Sequence, residues 1–210
     1  MTDGNPAAVY LEIDVGLGRC GVLPDSTALL ELAGTIASSG RLRFAGILSH
    51  AGHAYAASNR EEVAGIAEQE RTIMATVRAR LESAGIAVPI VSVGSTPTVL
   101  AAESFEGIDE IRPGNYIVLD GIQVALGVAR YDQVALTVLT TIVGRTATHY
   151  IVDAGSKTLS SDRGAHGAVS DRSLGAAFIT AIDDDADPLA FVRLSEEHGF
   201  VGRRVRLDRC

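Results

Sequence analysis

Residues 90–98, Ile90-Val91-Ser92-Val93-Gly94-Ser95-Thr96-Pro97-Thr98, join a nearly all-apolar run to a helix start. An apolar run of this kind is typical of a buried parallel strand. Thr96 is predicted to cap the helix, and Pro97 suits the first helical position because its missing N–H is not needed there. The stretch therefore predicts one strand–loop–helix unit of an α/β protein.

The same rhythm of strand and helix continues on both sides of this unit. Further strands are predicted at Val9–Val15, at Phe44–His50 and around a Pro-Gly turn in Asp109–Leu119. One helix opens at Pro24-Asp25-Ser26, and a longer one runs from about Asn59 to Ser83. Repeated units indicate a parallel sheet with helices on its faces. Four units correspond to about half of a closed eight-stranded barrel or to a complete four-stranded doubly wound sheet, and both alternatives remain open.

The pattern changes at about residue 133, where β-branched runs replace the long helices. We therefore expect an α/β domain over residues 1–132 and a β-rich domain over residues 133–210. The predicted strands of the second domain, separated in part by a Gly-, Ser- and Asp-rich loop at 160–175, are Val134–Val143, Tyr150–Val152, Phe178–Ile182, Phe191–Leu194 and Arg204–Leu207.

Charge and composition exclude several classes of protein. The net charge of −8 argues against a nucleic acid or an anionic membrane as partner. No apolar run approaches the roughly 20 residues that a membrane span requires. Cys20 and Cys210 are too few for a disulfide framework, so we expect reduced thiols in a cytoplasmic protein. Lys157 is the one lysine among 18 basic residues.

Three glycine-containing loops are predicted to meet at the carboxyl edge of the sheet. Free N–H groups at the start of the helix after Gly94 make an anion site, most often one for phosphate. The loop with Gly114 and Asn115 would add further N–H groups, and Arg19 could donate to a fixed anionic oxygen. The alternatives are a plain helix cap for the Gly94 loop, a proline–glycine turn for the Gly114 loop and a surface salt bridge for Arg19.

Two histidines, His50 and His53, follow the second predicted strand. One of them as a general base is favoured, because imidazole titrates near neutral pH. A zinc site is disfavoured, because no third ligand is evident nearby. A histidine that is merely part of the structure is the remaining alternative.

Five segments of the chain resemble fold-type III pyridoxal-phosphate enzymes. In this order they are similar to the D-threonine aldolase and D-serine dehydratase-like family: Glu12–Val22, Ser92–Thr98, Glu110–Tyr116, Asp153–Asp162 and Leu194–Gly199. The resemblance implies that residues 1–132 form half of an alanine racemase-like TIM barrel, and that residues 133–210 form an incomplete β-rich D-serine dehydratase-like domain.

The resemblance also implies roles for individual residues. Arg19 would hold the phenolic oxygen of pyridoxal phosphate, and Arg112 would lie near its pyridine ring. His53 matches a histidine that takes a proton from the β-hydroxyl group of the substrate, whereas His50 has no implied role. The residues that would hold the phosphate are Gly94, Ser95, Thr96, Gly114 and Asn115.

Two groups of the resembled enzymes are expected to be absent. Their Schiff-base lysine precedes the segment that starts here at Glu12, and Lys157 falls in the β-rich domain. Their divalent metal is held just beyond Glu196-Glu197-His198, where Cys210 has Asp208 rather than histidine two residues before it. We therefore expect a fragment with no metal ligands of its own.

The resemblance implies a lyase that acts on small D-β-hydroxy amino acids, inactive as this isolated chain. We expect it to work as a homodimer or with a complementing N-terminal chain. Two alternatives stay open. One is a non-catalytic remnant or weak cofactor-binding module, and the other is a small α/β phosphate-binding protein.

Overall fold

A computed structural model describes residues 5–160, 176–178 and 188–202, which fall into two compact units. The first unit ends at Tyr116 and the second begins at Ile117. The boundary expected at 132/133 stays a prediction. The predicted strand at Arg204–Leu207, most of the one at Phe178–Ile182, nearly all of the loop at 160–175, and both Asp208 and Cys210 lie outside the described residues.

The described part of the first unit holds a four-stranded parallel sheet in the order β1-β2-β3-β4. Helices follow the first three strands in turn. Chain order equals spatial order, without the reversal that marks the switch point of a doubly wound sheet. Consecutive strands of a barrel wall have this order, and the alternative of a complete four-stranded doubly wound sheet is wrong. The elements are β1 (Ala7–Ile13), α1 (Ala28–Ala37), β2 (Leu42–Ser49), α2 (Arg60–Ser83), β3 (Ile90–Val93), α3 (Thr96–Ala101) and β4 (Glu110–Ile111).

Helix α2 is the longest element and confirms the prediction for this region. Its cap is Asn59, whose side-chain oxygen accepts the N–H of Glu62 at 2.9 Å. Gly85, with φ of +79°, follows its end. Its buried positions recur every three or four residues and are apolar with one exception, Glu70: Val63, Ala67, Glu70, Met74, Val77 and Leu81.

The core of the first unit lies between this stripe and the sheet. Ile13, Ile47 and Val91 come from three neighbouring strands and are at most 1% exposed. Leu29 of α1 and Leu81 of α2 are fully buried against them. Truncating such a leucine to alanine costs about 2–5 kcal/mol of folding free energy. Over the described ranges, no helix has the length and apolar character needed to cross a membrane.

The fourth strand region differs from its prediction. β4 holds two residues, and the strand expected at Tyr116–Leu119 is wrong, because the chain turns there and leaves Ile117 72% exposed. Pro113 lacks the N–H for a strand ladder, and Leu119 has φ of +54°, which an extended strand cannot accommodate. The apolar run satisfies strand propensity, but the backbone turns away from the sheet.

The second unit is built around an antiparallel sheet, as its β-branched sequence predicted. Within the described residues the order is β5-β6-β9-β8-β7. Val134–Thr141 is not part of a strand, although one was predicted there, and Leu139 is fully exposed. A short helix, α4 (Gly121–Ala125), was not predicted. The strands are β5 (Ile142–Arg145), β6 (His149–Val152), β7 (Ala176–Ala177), β8 (Leu189–Leu194) and β9 (Gly199–Gly202).

Candidate cofactor site

The loops that follow β1 to β4 leave the same edge of the sheet, because the four strands are parallel. Two contacts join three of these loops directly. His50 Nδ1 lies 2.8 Å from the carbonyl oxygen of Gly94. The backbone N–H of Asn115 donates to Thr96 Oγ1 at 2.9 Å. The sequence predicted these segments at one edge because parallel strands end at the same edge of a sheet. The structure shows that the segments are in direct contact.

Gly94 begins the predicted phosphate loop and must be glycine. Its φ is +145°, and a Cβ atom there would lie 2.9 Å from the backbone nitrogen of Arg112. The backbones are this close because the Arg112 N–H donates to Val93 O at 2.9 Å. The loop therefore passes directly beside the β4 loop, as a cup for a small anion requires.

The cap of α3 is Ser95, so the prediction of Thr96 was wrong by one position. Ser95 is extended, with φ of −136°, and its Oγ accepts the N–H of Thr98 at 3.5 Å. In return Thr98 Oγ1 accepts the N–H of Ser95 at 3.1 Å, which completes a capping box. Serine and threonine are both good caps, so composition alone could not choose between them.

Thr96 and Asn115 connect the two halves of the cup. Thr96 is 1% exposed, and its hydroxyl oxygen accepts the Asn115 N–H described above. Gly114 is exposed, and a Cβ atom there would meet nothing within 4 Å. The close approach that requires glycine at 94 is therefore lacking at 114. The phosphate roles of these residues stay predictions.

The side chain of Arg112 crosses the sheet rather than pointing into solvent. Its Nε donates to Ser92 Oγ at 2.8 Å, and one terminal nitrogen donates to the carbonyl oxygen of Ser49. Ser92 in turn donates to the carboxylate of Glu110. These bonds fix the guanidinium across β2, β3 and β4. Its predicted place beside a pyridine ring stays a prediction.

Arg19 lies at the end of a glycine turn that Asp14 organises. Asp14 Oδ1 accepts the N–H groups of Gly16 at 2.9 Å and Gly18 at 3.1 Å, and these bonds lower the pKa of Asp14. Arg19 itself is about half exposed and 4.0 Å from Glu12 Oε1. The sequence reasoning missed this role of Asp14, although an aspartate two and four residues before glycines is a recognisable turn signal.

His53 lies on a short 3₁₀ helix, Gly52–Ala56, after β2. A Cβ atom at Gly16 would be only 3.1 Å from His53 Cε1, so the imidazole rests against the glycine turn of Arg19. Its Nδ1 is buried and has no hydrogen-bond partner among the described residues. Burial lowers the pKa of His53, the Asp14 carboxylate opposes this, and His50 adds to the lowering. Burial therefore favours the neutral form of the imidazole, which is the form that accepts a proton.

His50 has a defined structural role that the sequence left open. A carbonyl oxygen can only accept, so its Nδ1 must carry the proton that it shares with Gly94 O. This bond ties the end of β2 to the phosphate loop. Across the part of the chain that the structure describes, no group of three His, Cys, Asp or Glu residues could hold a metal ion.

Lys157 belongs to the second unit, and its amine forms ion pairs with two acidic neighbours. Its Nζ lies 2.6 Å from Glu197 Oε1 and 3.2 Å from Glu196 Oε2. Glu197 and then Glu196 raise its pKa. An amine that attacks an aldehyde must be unprotonated, so these ion pairs work against imine formation at Lys157.

Comparison with known proteins identifies the fold. The sequence profile described as "Alanine racemase, N-terminal domain" matches residues 1–120. The chain belongs to this family. A second profile, "Putative serine dehydratase domain", matches residues 135–207 of the same chain. The predicted alanine racemase-like barrel followed by a β-rich domain is thereby confirmed.

Characterised relatives confirm the resemblance to the D-threonine aldolase and D-serine dehydratase-like group of fold-type III pyridoxal-phosphate proteins. A D-threo-3-hydroxyaspartate dehydratase of Delftia sp. (strain HT23) is 40% identical over 163 residues, which is 77% of this chain and 43% of that protein. A 3-hydroxy-D-aspartate aldolase of Paracoccus denitrificans (strain Pd 1222) is 32% identical over 213 residues, 94% of this chain and 49% of that protein.

A solved structure gives the same relationship in three dimensions. That of the D-threo-3-hydroxyaspartate dehydratase from Delftia sp. HT23 superposes with a TM-score of 0.78 at 34% identity. The match covers 94% of this chain and 52% of that one. The chain thus spans about half the length of the curated relatives that it matches.

Proposed function

We propose that this chain supplies the cofactor-binding and proton-transfer residues of a pyridoxal-phosphate lyase for D-β-hydroxy amino acids. The observation that carries the proposal is the position of His53. Its imidazole, whose buried Nδ1 has no partner in the described residues, rests against the turn of Arg19. His50, three residues earlier, is bonded to the phosphate loop. Relatives named as a dehydratase and an aldolase of 3-hydroxyaspartate support the choice of substrate class.

The residues present fit the phosphate and the phenolic oxygen of pyridoxal phosphate. Glycine at position 94 lets the loop pass beside Arg112, where a Cβ atom would collide with the backbone. The capped start of α3 follows this loop. Arg19 lies in the loop that follows β1 at the same edge of the sheet, and its exposed guanidinium would hold the phenolic oxygen. When bound, the cofactor supplies an electron sink for the negative charge that forms at the substrate Cα.

His53 can serve either type of lyase. As a neutral base it takes the proton of the β-hydroxyl group when the Cα–Cβ bond breaks. As an acid, once protonated, it gives a proton to the hydroxyl group that leaves in a dehydration. The described residues contain no ligand group for the divalent metal that the resemblance implies, so no step is assigned to a metal.

We further propose that the isolated chain binds the cofactor without covalent attachment and does not turn over substrate. Lys157 is the one lysine of the 210 residues, and it is paired with two glutamates. We also propose that activity requires a second polypeptide, which is either another copy of this chain or a chain that supplies a lysine. The exposed apolar side chains Leu136 and Leu139 are in keeping with such a contact. We also propose a cytoplasmic location, because two cysteines are too few for a disulfide framework.

Cofactor titration tests the proposal directly. Pyridoxal phosphate is added to the purified chain, and its binding is followed by fluorescence. We expect saturable binding that Arg19→Ala weakens about tenfold, because a charged hydrogen bond is lost. Arg43→Ala is the matched control, since Arg43 is an exposed arginine near the start of β2, at the opposite edge of the sheet. Absence of saturable binding to the wild-type chain would refute the cofactor proposal.

Product analysis separates the reaction types. The chain is incubated with pyridoxal phosphate and D-threonine, and glycine, 2-oxo acid and ammonia are measured. We expect none of these products from the isolated chain. Glycine would indicate aldol cleavage and ammonia would indicate dehydration. Either product in quantities above the number of active sites would refute the proposed inactivity.

A further inference from the structure

Among the described residues, Glu70 is a buried charged group that the proposed chemistry does not use. It lies on the inner stripe of α2, where the other buried positions are apolar, and is 2% exposed. Burying a carboxylate is costly unless hydrogen bonds replace its water shell. The partners of Glu70 therefore show what this residue does.

The groups that face the Glu70 carboxylate follow or end two strands and do not come from its own helix. Ser49 Oγ, at the end of β2, donates to Glu70 Oε1 at 2.7 Å. The backbone N–H groups of Gly94 and Ala51 and the guanidinium of Arg112 lie close enough to favour the charged carboxylate. Burial raises the pKa of Glu70, while these contacts oppose the rise. A carboxylate can attract all of these groups at once, whereas an amide or an alkyl side chain cannot.

Gly94 is consequently held on both sides by side chains. Its N–H faces the Glu70 carboxylate, and its carbonyl oxygen accepts from His50 Nδ1. Ala51, whose N–H also faces the carboxylate, lies two residues before His53. One buried carboxylate thus sets both the phosphate loop and the segment that carries the proposed base.

We propose that Glu70 is a positioning residue for phosphate recognition at this site. Through Ser49 at the end of β2 it keeps the Gly94 loop and the Ala51 segment in place, so that the start of α3 lies where the phosphate would bind. This inference rests on the proposed cofactor function and adds to it a residue that does not touch the ligand. Phosphate recognition should therefore depend on Glu70, whereas recognition of the pyridine ring should not.

The test compares Glu70→Gln with Glu68→Gln. Glu68 is on the same helix but exposed, and it pairs with Arg71 at 2.6 Å. Glutamine keeps the shape of Glu70 but turns an N–H₂ group toward one of the donors. Dissociation constants for pyridoxal phosphate, inorganic phosphate and phosphate-free pyridoxal are measured for each variant, and backbone amide exchange at Ala51 and Gly94 is followed by NMR.

We expect Glu70→Gln to weaken pyridoxal phosphate and inorganic phosphate binding about tenfold, to leave pyridoxal binding unchanged and to accelerate both amides about tenfold. Glu68→Gln should match the wild type in every measurement. Equal loss for pyridoxal and pyridoxal phosphate would overturn the proposal, because it would indicate a general effect on folding. Faster amide exchange with unchanged phosphate affinity would overturn it as well.

Two further outcomes are informative. If the wild-type chain binds neither pyridoxal phosphate nor inorganic phosphate, the proposed function is refuted. Unchanged amide exchange in Glu70→Gln would separately refute the role of Glu70. If Glu70→Gln does not fold, Ser49→Ala decides, since it removes one donor and keeps the carboxylate. Ser49→Ala should weaken phosphate binding by a smaller factor without affecting pyridoxal, and unchanged phosphate binding would refute the proposal.

Discussion

Replacing Gly94 by alanine is the sharpest test of the site geometry. The backbone has φ of +145°, a conformation that costs an alanine about 1–3 kcal/mol. The added methyl group would also lie 2.9 Å from Arg112 N and 3.1 Å from Arg112 C. Those atoms belong to the backbone and cannot swing away, so overpacking adds about 1–3 kcal/mol. We expect Gly94→Ala to lower the free energy of unfolding by about 2–6 kcal/mol and to abolish phosphate binding.

The neighbouring loop provides a matched control. A Cβ atom at Gly114 would meet nothing within 4 Å, so Gly114→Ala should stay within about 0.5 kcal/mol of the wild type. Urea unfolding, followed by circular dichroism, measures both variants, and pyridoxal phosphate fluorescence measures binding. Equal stability and equal affinity of Gly94→Ala and Gly114→Ala would refute the argument that a close backbone approach shapes the cup.

Three further predictions concern individual side chains. Burial lowers the pKa of His53 below its ordinary 6.5, so its contribution to stability is complete above that pH and is lost as the pH falls through the folded-state pKa. Stability measured against pH should therefore fall more steeply below pH 6.5 for the wild type than for His53→Gln. Asp14→Ala should cost about 1 kcal/mol and weaken pyridoxal phosphate binding, because the turn of Arg19 loses its acceptor, and Asp14→Asn should restore much of both. Borohydride treatment with pyridoxal phosphate should leave Lys157 unmodified by mass spectrometry, and a stoichiometric adduct there would contradict the pairing argument.

The sequence was sufficient for those features that depend on local pattern. Helix α2 has an N-terminal cap, a regular apolar stripe and a terminal glycine, and its bounds were predicted almost to the residue. The Gly94 loop was located because a buried strand, a glycine and a proline follow one another. Its neighbour at Tyr116–Leu119 was predicted wrongly, because strand propensity says nothing about whether a partner strand is within reach.

The candidate site was predictable in its residues but not in its connections. Arg19, His53 and the Gly94 loop were recognised from a resemblance and from their positions after strands. The roles of Asp14 and Glu70 depend on which donors meet their carboxylates, and for Glu70 the Ser49 hydroxyl comes from 21 positions away. An acidic residue within an apolar stripe was a signal in the sequence, and only the folded chain shows why it is tolerated.

The carboxylate within α2 also has an evolutionary consequence. A buried charge held by hydrogen bonds is often no more stable than an apolar side chain of similar size. Selection for stability alone would therefore tend to replace Glu70 by leucine or methionine, and selection for ligand binding would oppose that change. A gene copy released from its function should lose this acid early. Glutamate at position 70 accordingly provides a marker for comparing working copies with decaying ones.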